Sequence, residues 1–519
     1  MSSRPLLTVV VPVYNGGDEI VDNVSVIRGA VARELGDENV EIVVVSDGSI
    51  DGTAERLLET RMTGVHVIHY DRNLGKGYAV KAGVLVARGE WIGLIDADLD
   101  LDPASLPAYL EAAQRERLDF AIGSKRHPDS VVQYPRARRV GSWGYQQLNR
   151  LLFRLDVRDT QVGLKVFSRG VAEEVMPLLL VKRYAFDLEL LAVAASLGHG
   201  RIRELPVRLD YRFTGSGVRS TAVLGALWDT AAIFYRLRLL RTYERRRRLF
   251  RGAVPEQLPP VLVVGGTFDY ERAVLAEDDA DLVAVVAAGA RPAGNWLAAA
   301  IPYFARDDVA AVVVPTVAPL RGPVRQRAAA AVLESRLGGG SRRLLYLPGN
   351  VKVVRDHPAD SVVLRRDDYR AARAAGVDDE RLVSWLAERG RHTVYTPDTS
   401  VSIAPAPLLR PHLAGAVRYA RARGAAARRT RGQSLSAATA LSLAPLAAAV
   451  LGVVFVALGG GLRTVGSSLL LAYAAVLLLS GVHAAVRFHS AIVGLLEPPA
   501  VVANQLAYLV GFVRGLTER

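Results

Sequence analysis

The stretch "WIGLIDADLDLDP", residues 91–103, sets a short apolar run directly before four aspartates, Asp96, Asp98, Asp100 and Asp102. The apolar half reads as a buried strand. Spacing at every second residue is the strand period, so on an extended backbone the four carboxylates face one way. Like charges on one face repel unless a cation lies among them. The alternative is a solvated strand end running into a helix cap. The flanking sequence weighs between the two. "LLTVVVPVY", "VEIVVVSDGS", "VHVIHY" and "DFAIGS" are further short apolar runs, as buried parallel strands require. The segments between them, such as "GKGYAVKAGVLVARG", carry helical spacing and are long enough for crossovers. An α/β doubly wound domain follows, whose ligands sit at the C-terminal ends of the strands. "SDGS", "DAD" and "GSKRH" all lie at such ends, which favours a site.

At 519 residues the chain predicts two or three domains. It has no cysteine, which excludes disulfides and thiolate metal sites, and its nine histidines show no zinc-ligand spacing. The net charge of +13 is carried by arginine, with lysine only at 76, 81, 125, 165, 182 and 352. The densest basic stretches flank apolar segments rather than interleaving with aromatics. Anionic membrane lipid is therefore the expected partner, not nucleic acid. "MSSRPLLTVVVPVYNGG" enters a strand with no signal peptide before it, so the N-terminal domain is expected in the cytoplasm.

Residues 1–220 read as the first domain. In 221–260, Leu224, Leu227, Trp228, Ala231, Phe234, Tyr235 and Leu239 repeat at three and four before an Arg-rich end. That pattern predicts an amphipathic helix in the membrane interface, followed by the linker "VPEQLPP". A second α/β unit is expected over 261–408 and a basic juxtamembrane segment over 409–434. Within 435–519, the apolar segments 436–458 and 465–486 each suffice to cross a hydrocarbon layer of about 30 Å. Arg418 to Arg431 hold the N-terminal side of the first span in the cytoplasm. The segment 490–513 carries Glu497, Pro498, Pro499, Asn504 and Gln505, and reads as interfacial, re-entrant or a third span.

Five ordered motifs, "TVVVPVYNGGDEI", "VVVSDGSIDGT", "RNLGKGYAVKAG", "WIGLIDADLDLDP" and "AIGSKRH", make the first domain resemble family 2 glycosyltransferases of the GT-A fold. "DTQVGLKVFSRGVAEEV" (159–175) and "YAFDLELLAVAASLGHGRIRELPV" (184–207) are similar to polyprenyl-phosphate hexosyltransferases, the relatives of dolichyl-phosphate mannose and glucose synthases. The resemblance implies transfer of glucose or mannose, with inversion, from UDP-glucose or GDP-mannose to a polyprenyl phosphate. It implies Mg²⁺ or Mn²⁺ at Asp96 and Asp98, hard oxygen ligands beside a diphosphate leaving group. Pro12, Tyr14 and Asn15 would line the nucleoside site, Asp47 would read the base edge, and Gly75 and Lys76 would complete the pocket. Asp98, Lys125, Arg126 and Arg212 form the implied catalytic set, and Arg138, Arg139 and Arg219 the implied acceptor-phosphate set. Asp187 and Glu189 read as helix residues, one of them orienting the acceptor, and Asp102 as a cap for the helix near Pro103.

Two positions depart from the pattern. Gly16 and Gly17 precede Asp18 and Glu19 where the family has Glu after Asn, and Ser46 stands where the first of two acids is usual. The second unit resembles the same family. Laid over 91–98, its "DLVAVVAAGARP" puts Ala287 and Gly289 at the places of Asp96 and Asp98. It is expected to be a degenerate glycosyltransferase-like domain with no metal, and Asp378 and Asp379 read as helix-capping residues. Two alternatives stand beside this reading. One is transfer to a glycan or glycolipid hydroxyl, which would need a carboxylate base. The other is a membrane scaffold or glycan-binding pseudo-glycosyltransferase.

Overall fold

The apolar runs each become a strand: β1 (Leu7–Val13), β2 (Val40–Asp47), β3 (Val65–Tyr70), β4 (Trp91–Leu94) and β5 (Phe120–Ser124). Helices α1 (Ile20–Leu35), α2 (Thr53–Thr60), α3 (Lys76–Val86) and α4 (Ser105–Arg115) separate them. After β6 (Val131–Val132) come α5 (Arg136–Phe153), β7 (Lys165–Ser168), α6 (Arg169–Glu174), α7 (Phe186–Ser196) and β8 (Ile202–Pro206). A short β9 (Arg208–Leu209) pairs with β6. This computed structural model describes residues 4–132, 136–182, 185–209, 220–247, 259–265, 280–355, 357–359, 361–379, 381–429 and 437–517.

The sheet order is β3-β2-β1-β4-β7-β5-β8. Strands β1 to β4 run parallel, and β7 lies antiparallel between β4 and β5. This is a GT-A-like α/β sheet, as the sequence predicts. Aliphatic layers cover both faces, and α3 is buried along nearly its whole length, Lys81 included.

The expected interfacial helix is broken. α8 (Ser220–Phe234) passes through a π turn, Tyr235–Leu239, into α9 (Thr242–Arg247). Leu227, Trp228, Tyr235 and Leu239 are exposed, whereas Ile233, Tyr243 and Arg246 are buried. The basic end is thus partly core, because Tyr243 and Arg246 find acceptors there: Glu189 and the Pro177 carbonyl.

A second sheet of six strands follows, whose strand directions parallel part of the first. Its strands are β10 (Val261–Val264), β11 (Leu282–Val285), β13 (Val309–Val313), β15 (Lys352–Val354), β16 (Val362–Arg365) and β17 (His392–Tyr395). They order as β10-β11-β16-β13-β17-β15. From β10 to β17 the directions are parallel, antiparallel, antiparallel, parallel, as they are along β1-β4-β7-β5-β8. The register also matches. Ile95 N donates to Val10 O at 3.3 Å and Val286 N to Val264 O at 2.9 Å, while Arg169 N reaches Glu90 O at 3.1 Å and Arg366 N reaches Asp281 O at 2.9 Å. Ala287 and Gly289 therefore stand where Asp96 and Asp98 stand in the first sheet. Residues 14–90 separate β1 from β4, but only residues 265–281 separate β10 from β11, which leaves no length for counterparts of β2 and β3. Helices α13 (Arg366–Ala374) and α14 (Leu382–Glu388) follow, and Asp378 accepts the Arg381 N–H at 2.9 Å as a helix cap. Asp379 pairs with Arg373.

The expected 261–408 domain is not one body. Residues 1–287, 292–313 and 350–399 form one unit, and 288–291, 314–349 and 400–519 a second. The first holds α10 (Trp296–Ala300). In the second, α11 (Val324–Glu334) and α12 (Arg343–Tyr346) accompany the C-terminal helices, and β14 (Thr316–Val317) pairs with β18 (Val401–Ser402). A short β12 (Arg291–Pro292) completes that small sheet. The departure has a polar cause. Arg487 pairs with buried Glu334 at 2.8 Å, and Asn504 and Gln505 donate to the Gly338 and Leu337 carbonyls at 2.9 and 3.1 Å. The C-terminal helices are α15 (Arg410–Arg429), α16 (Ala437–Leu458), α17 (Gly460–Arg487) and α18 (Ala491–Thr517). Both α17 and α18 are long and apolar enough to cross a membrane. The segment around 490–513 is one continuous helix despite Pro498 and Pro499, and Glu497, Asn504 and Gln505 face protein.

Candidate active site

Four chain segments meet at the C-terminal end of the first sheet. The chain leaves β4 at Leu94, so Asp96, Asp98, Asp100 and Asp102 do not share a strand face as their spacing predicts. They lie on a turn in which Leu99 takes a positive φ of 58°. Asp98 accepts the Asp100 N–H at 3.1 Å, and Asp102 accepts the Ala104 N–H at 3.0 Å, capping α4. The period of two falls across a turn, where Asp98 and Asp102 each accept from the backbone two residues on.

Lys76 enters from the start of α3, its Nζ 2.5 Å from Asp96. Burial disfavours the ammonium, but Asp96, Asp187 and Asp98 outweigh that and hold Lys76 above its ordinary range. Partial desolvation, and then the Asp96 and Asp100 carboxylates, push Asp98 above the usual carboxylate range. Among the described residues the site gathers aspartates around the Lys76 ammonium, with Lys165 against Asp187. Among the described residues no group of three or more metal-ligating side chains gathers. A divalent cation at Asp96 and Asp98 would draw its other ligands from substrate and water, and the donor chemistry suits one: two hard carboxylate oxygens on one turn.

The third segment is the loop into β7. Gly163 has no room for a side chain, because a Cβ there would stand 2.2 Å from Asp96 Oδ2. Lys165, 1% exposed, donates to Asp187 at 2.6 Å and to the Val162 carbonyl. Asp187 is thereby fixed at the start of α7. Neither Gly163 nor Lys165 receives a role from sequence alone; the signal lay in "VGLK", a glycine and a lysine within an otherwise apolar run. Gly163→Ala should move the Asp96 carboxylate, and any chemistry at this turn should fall roughly 100-fold, since misplacement by about 1 Å costs that much. Steady-state kinetics, with unchanged thermal stability as the control, checks this.

The fourth segment joins the loops after β1 and β2. Asn15 N donates to Ser49 Oγ at 3.1 Å, Ile50 N to Asn15 Oδ1 at 3.0 Å, and Gly16 N to Thr53 Oγ1 at 2.9 Å. These bonds use the Gly16–Gly17 insertion rather than merely accommodating it. Tyr14 is exposed and Pro12 half-buried. Asp47, 3% exposed, accepts from Leu74 N at 2.7 Å, Gly75 N at 2.9 Å and Tyr70 OH at 3.0 Å. It therefore shapes the Leu74–Gly75 turn that presents Lys76, beside any contact with a base.

The basic residues are only partly brought to this place. Lys125 and Arg126 follow β5; Lys125 N donates to Asp159 at 3.3 Å and Arg126 donates to Gln146. Arg138 and Arg139 lie on α5, although their side chains are outside the described residues, as are Arg212 and Arg219 altogether.

Residues 8–176 match the family Glycosyl transferase family 2. The chain is 34% identical over 203 residues to the glycosyltransferase AglD of Haloferax volcanii, covering 39% of this chain and 32% of that one. It is 35% identical over 208 residues to the dolichyl-phosphate beta-glucosyltransferase of Drosophila melanogaster, covering 37% and 63%. The chain thus spans less than two thirds of either relative. Among solved structures, mannosyl-3-phosphoglycerate synthase from Rubrobacter xylanophilus aligns over 47% of this chain and 74% of its own at 21% identity, with a TM-score of 0.33. The matched residues run through the Asp96–Asp98 turn and the Gly163 loop to just past α6, so this stretch of the chain is similar to family 2 glycosyltransferases.

Proposed function

We propose that the chain is a membrane-bound hexosyltransferase that moves glucose or mannose from UDP-glucose or GDP-mannose to a polyprenyl phosphate, inverting the anomeric centre. The carrying observation is the carboxylate pair Asp96 and Asp98 on the turn after β4, with Lys76 against Asp96. The dolichyl-phosphate glucosyltransferases among the relatives favour glucose and a lipid-phosphate acceptor.

Bound at Asp96 and Asp98, Mg²⁺ or Mn²⁺ would neutralise the charge that builds on the departing diphosphate. Lys76 adds a second cation there and is free to turn from Asp96 toward phosphate oxygen. Pro12, Tyr14, Asn15 and Asp47 surround the nucleoside side. A lipid phosphate is already ionised at neutral pH, with a second pKa of roughly 6, and can attack without a strong base. Asp187, tied to Lys165, suits orientation of that acceptor better than proton abstraction. Lys125, Arg126 and Arg212 would hold the reacting phosphates, and Arg138, Arg139 and Arg219 would receive the lipid phosphate. The exposed Leu227, Trp228, Tyr235 and Leu239 would lie against anionic lipid, with the catalytic domain on the cytoplasmic side of a multi-pass protein.

The test is transfer by the full chain in detergent from labelled UDP-glucose and GDP-mannose, with and without undecaprenyl or dolichyl phosphate. Label should pass into an acid-labile, butanol-soluble lipid only when polyprenyl phosphate and Mg²⁺ or Mn²⁺ are present. Label found only on a hydroxyl of a glycan or glycolipid, or transfer undiminished in EDTA, would overturn this reading.

A further inference from the structure

Lys81 sits in the middle of α3, five residues along from Lys76, and is 5% exposed. Its ammonium spends its three donors on the Pro177 carbonyl at 3.1 Å, the Leu179 carbonyl at 3.1 Å and Asp398 Oδ1 at 2.8 Å. Asp398 lies just beyond β17, in the same compact unit as Lys81, and is itself buried. Its own loop is locked. Asn295 donates to the Asp398 carbonyl at 2.9 Å, and Thr399 Oγ1 donates to Asn295 Oδ1 at 2.9 Å. A carboxylate from beyond the second sheet's β17 therefore completes the coordination of a lysine on α3.

The carbonyls that Lys81 holds belong to a strap, residues 177–182, fixed at every step by backbone. The N–H groups of Leu180 and Val181 donate to Glu189 Oε2 at 2.9 and 2.8 Å, and the Tyr243 hydroxyl donates to the other Glu189 oxygen at 2.5 Å. The Lys182 carbonyl accepts the Gly77 and Tyr78 N–H groups at 3.0 and 3.4 Å, so the strap ends on the first turn of α3, next to Lys76. Beyond the strap, Phe186 lies against Gly77, where a Cβ would come within 2.7 Å of it, and Asp187 follows. Burial draws Lys81 below its ordinary range, with Asp398 opposing that shift, and draws Lys182 down to about 8.

We infer that Asp398 is a positioning residue for the glycosyltransferase site: through Lys81 it fixes the 177–182 strap, and through the strap the placement of Lys76 and Asp187. The inference rests on the transferase reading above for its kinetic arm alone. It also gives the loop after β17 a task, which is to supply the counter-charge that lets a lysine be buried behind the site.

An apolar exchange of both partners separates positioning from mere stability. Buried ion pairs replaced by apolar residues of similar size commonly keep their stability, whereas no apolar side chain can tie the Pro177 and Leu179 carbonyls. In the full chain, Lys81→Met with Asp398→Leu should melt within about 3 °C of the unaltered protein. Its Gly77, Tyr78, Leu180 and Val181 amides should exchange with solvent at least roughly tenfold faster, while the β1 and β2 amides are unchanged. Its kcat should fall at least about tenfold with KM for the nucleotide sugar changed far less. Asp398→Asn, which keeps Lys81 but removes its counter-charge, should speed exchange at the same four amides. Unaltered exchange at those four amides, or a kcat within twofold of the starting value in the double variant, overturns the inference. Should the unaltered chain transfer no sugar, the transferase reading fails, and the exchange arm still decides whether Asp398 sets the strap.

Discussion

Asp98→Asn is expected to abolish sugar transfer, by roughly a thousandfold or more, because both a cation ligand and a unit of charge at the leaving diphosphate are lost. The fold should not suffer. Asn retains the acceptor for the Asp100 N–H, and the substitution relieves a carboxylate held above its ordinary range by partial desolvation and by its Asp96 and Asp100 neighbours. The sign follows from linkage. A carboxyl whose folded pKa is raised costs stability once pH exceeds that value, and costs nothing below the ordinary 3.8 of an aspartate. In EDTA at pH 7 the variant should therefore melt at or above the temperature of the unaltered protein, with the gap closing as pH falls toward 4. Added Mn²⁺ should raise the melting temperature of the unaltered protein only. A variant with full turnover, or one that gains the same stabilisation from Mn²⁺, would remove Asp98 from the metal site.

Lys165→Met should cost roughly 3–5 kcal/mol, the usual consequence of leaving a buried carboxylate without its partner. Lys165 is 1% exposed and its pair with Asp187 is 2.6 Å long, so water has little access to either charge. Lys165 comes from β7 and Asp187 from the start of α7, which makes the pair a tie between the sheet and the helix that borders the site. Adding Asp187→Leu should return most of the lost stability, because the uncompensated charge goes with it. Denaturant unfolding followed by tryptophan fluorescence reads both changes. A single variant within about 1 kcal/mol of the unaltered protein would mean that the carboxylate finds water or another cation, Lys76 being the nearest candidate.

The family resemblance and the residues that should carry chemistry could be read from the sequence because they depend on local order. Continuous aliphatic runs such as "VEIVVVSD" bury on both faces of a parallel sheet whatever surrounds them. Ligand groups at strand ends follow from chain direction alone. For the same reason Ala287 and Gly289 could be placed opposite Asp96 and Asp98 before any sheet was seen, and the matched backbone bonds of Ile95 and Val286 agree with that placement. Tertiary structure decided the rest. The two-residue spacing of the aspartates looked like a strand, yet a turn with Leu99 at positive φ can produce the same spacing. The Arg-rich end after residue 239 was expected at the membrane interface, yet Arg246 meets the Pro177 carbonyl and Tyr243 meets Glu189. Residues 314–349 group with helices far along the chain, where Glu334 meets Arg487, the Leu337 and Gly338 carbonyls accept from Gln505 and Asn504, and Ala328–Val332 pack with Phe488 and Val493. Lys81 and Asp398 stand 317 residues apart. Hydropathy patterning tells which face of an element is buried, but a buried charge is settled by whichever opposite charge the topology brings to it, and that partner leaves no mark on the local sequence.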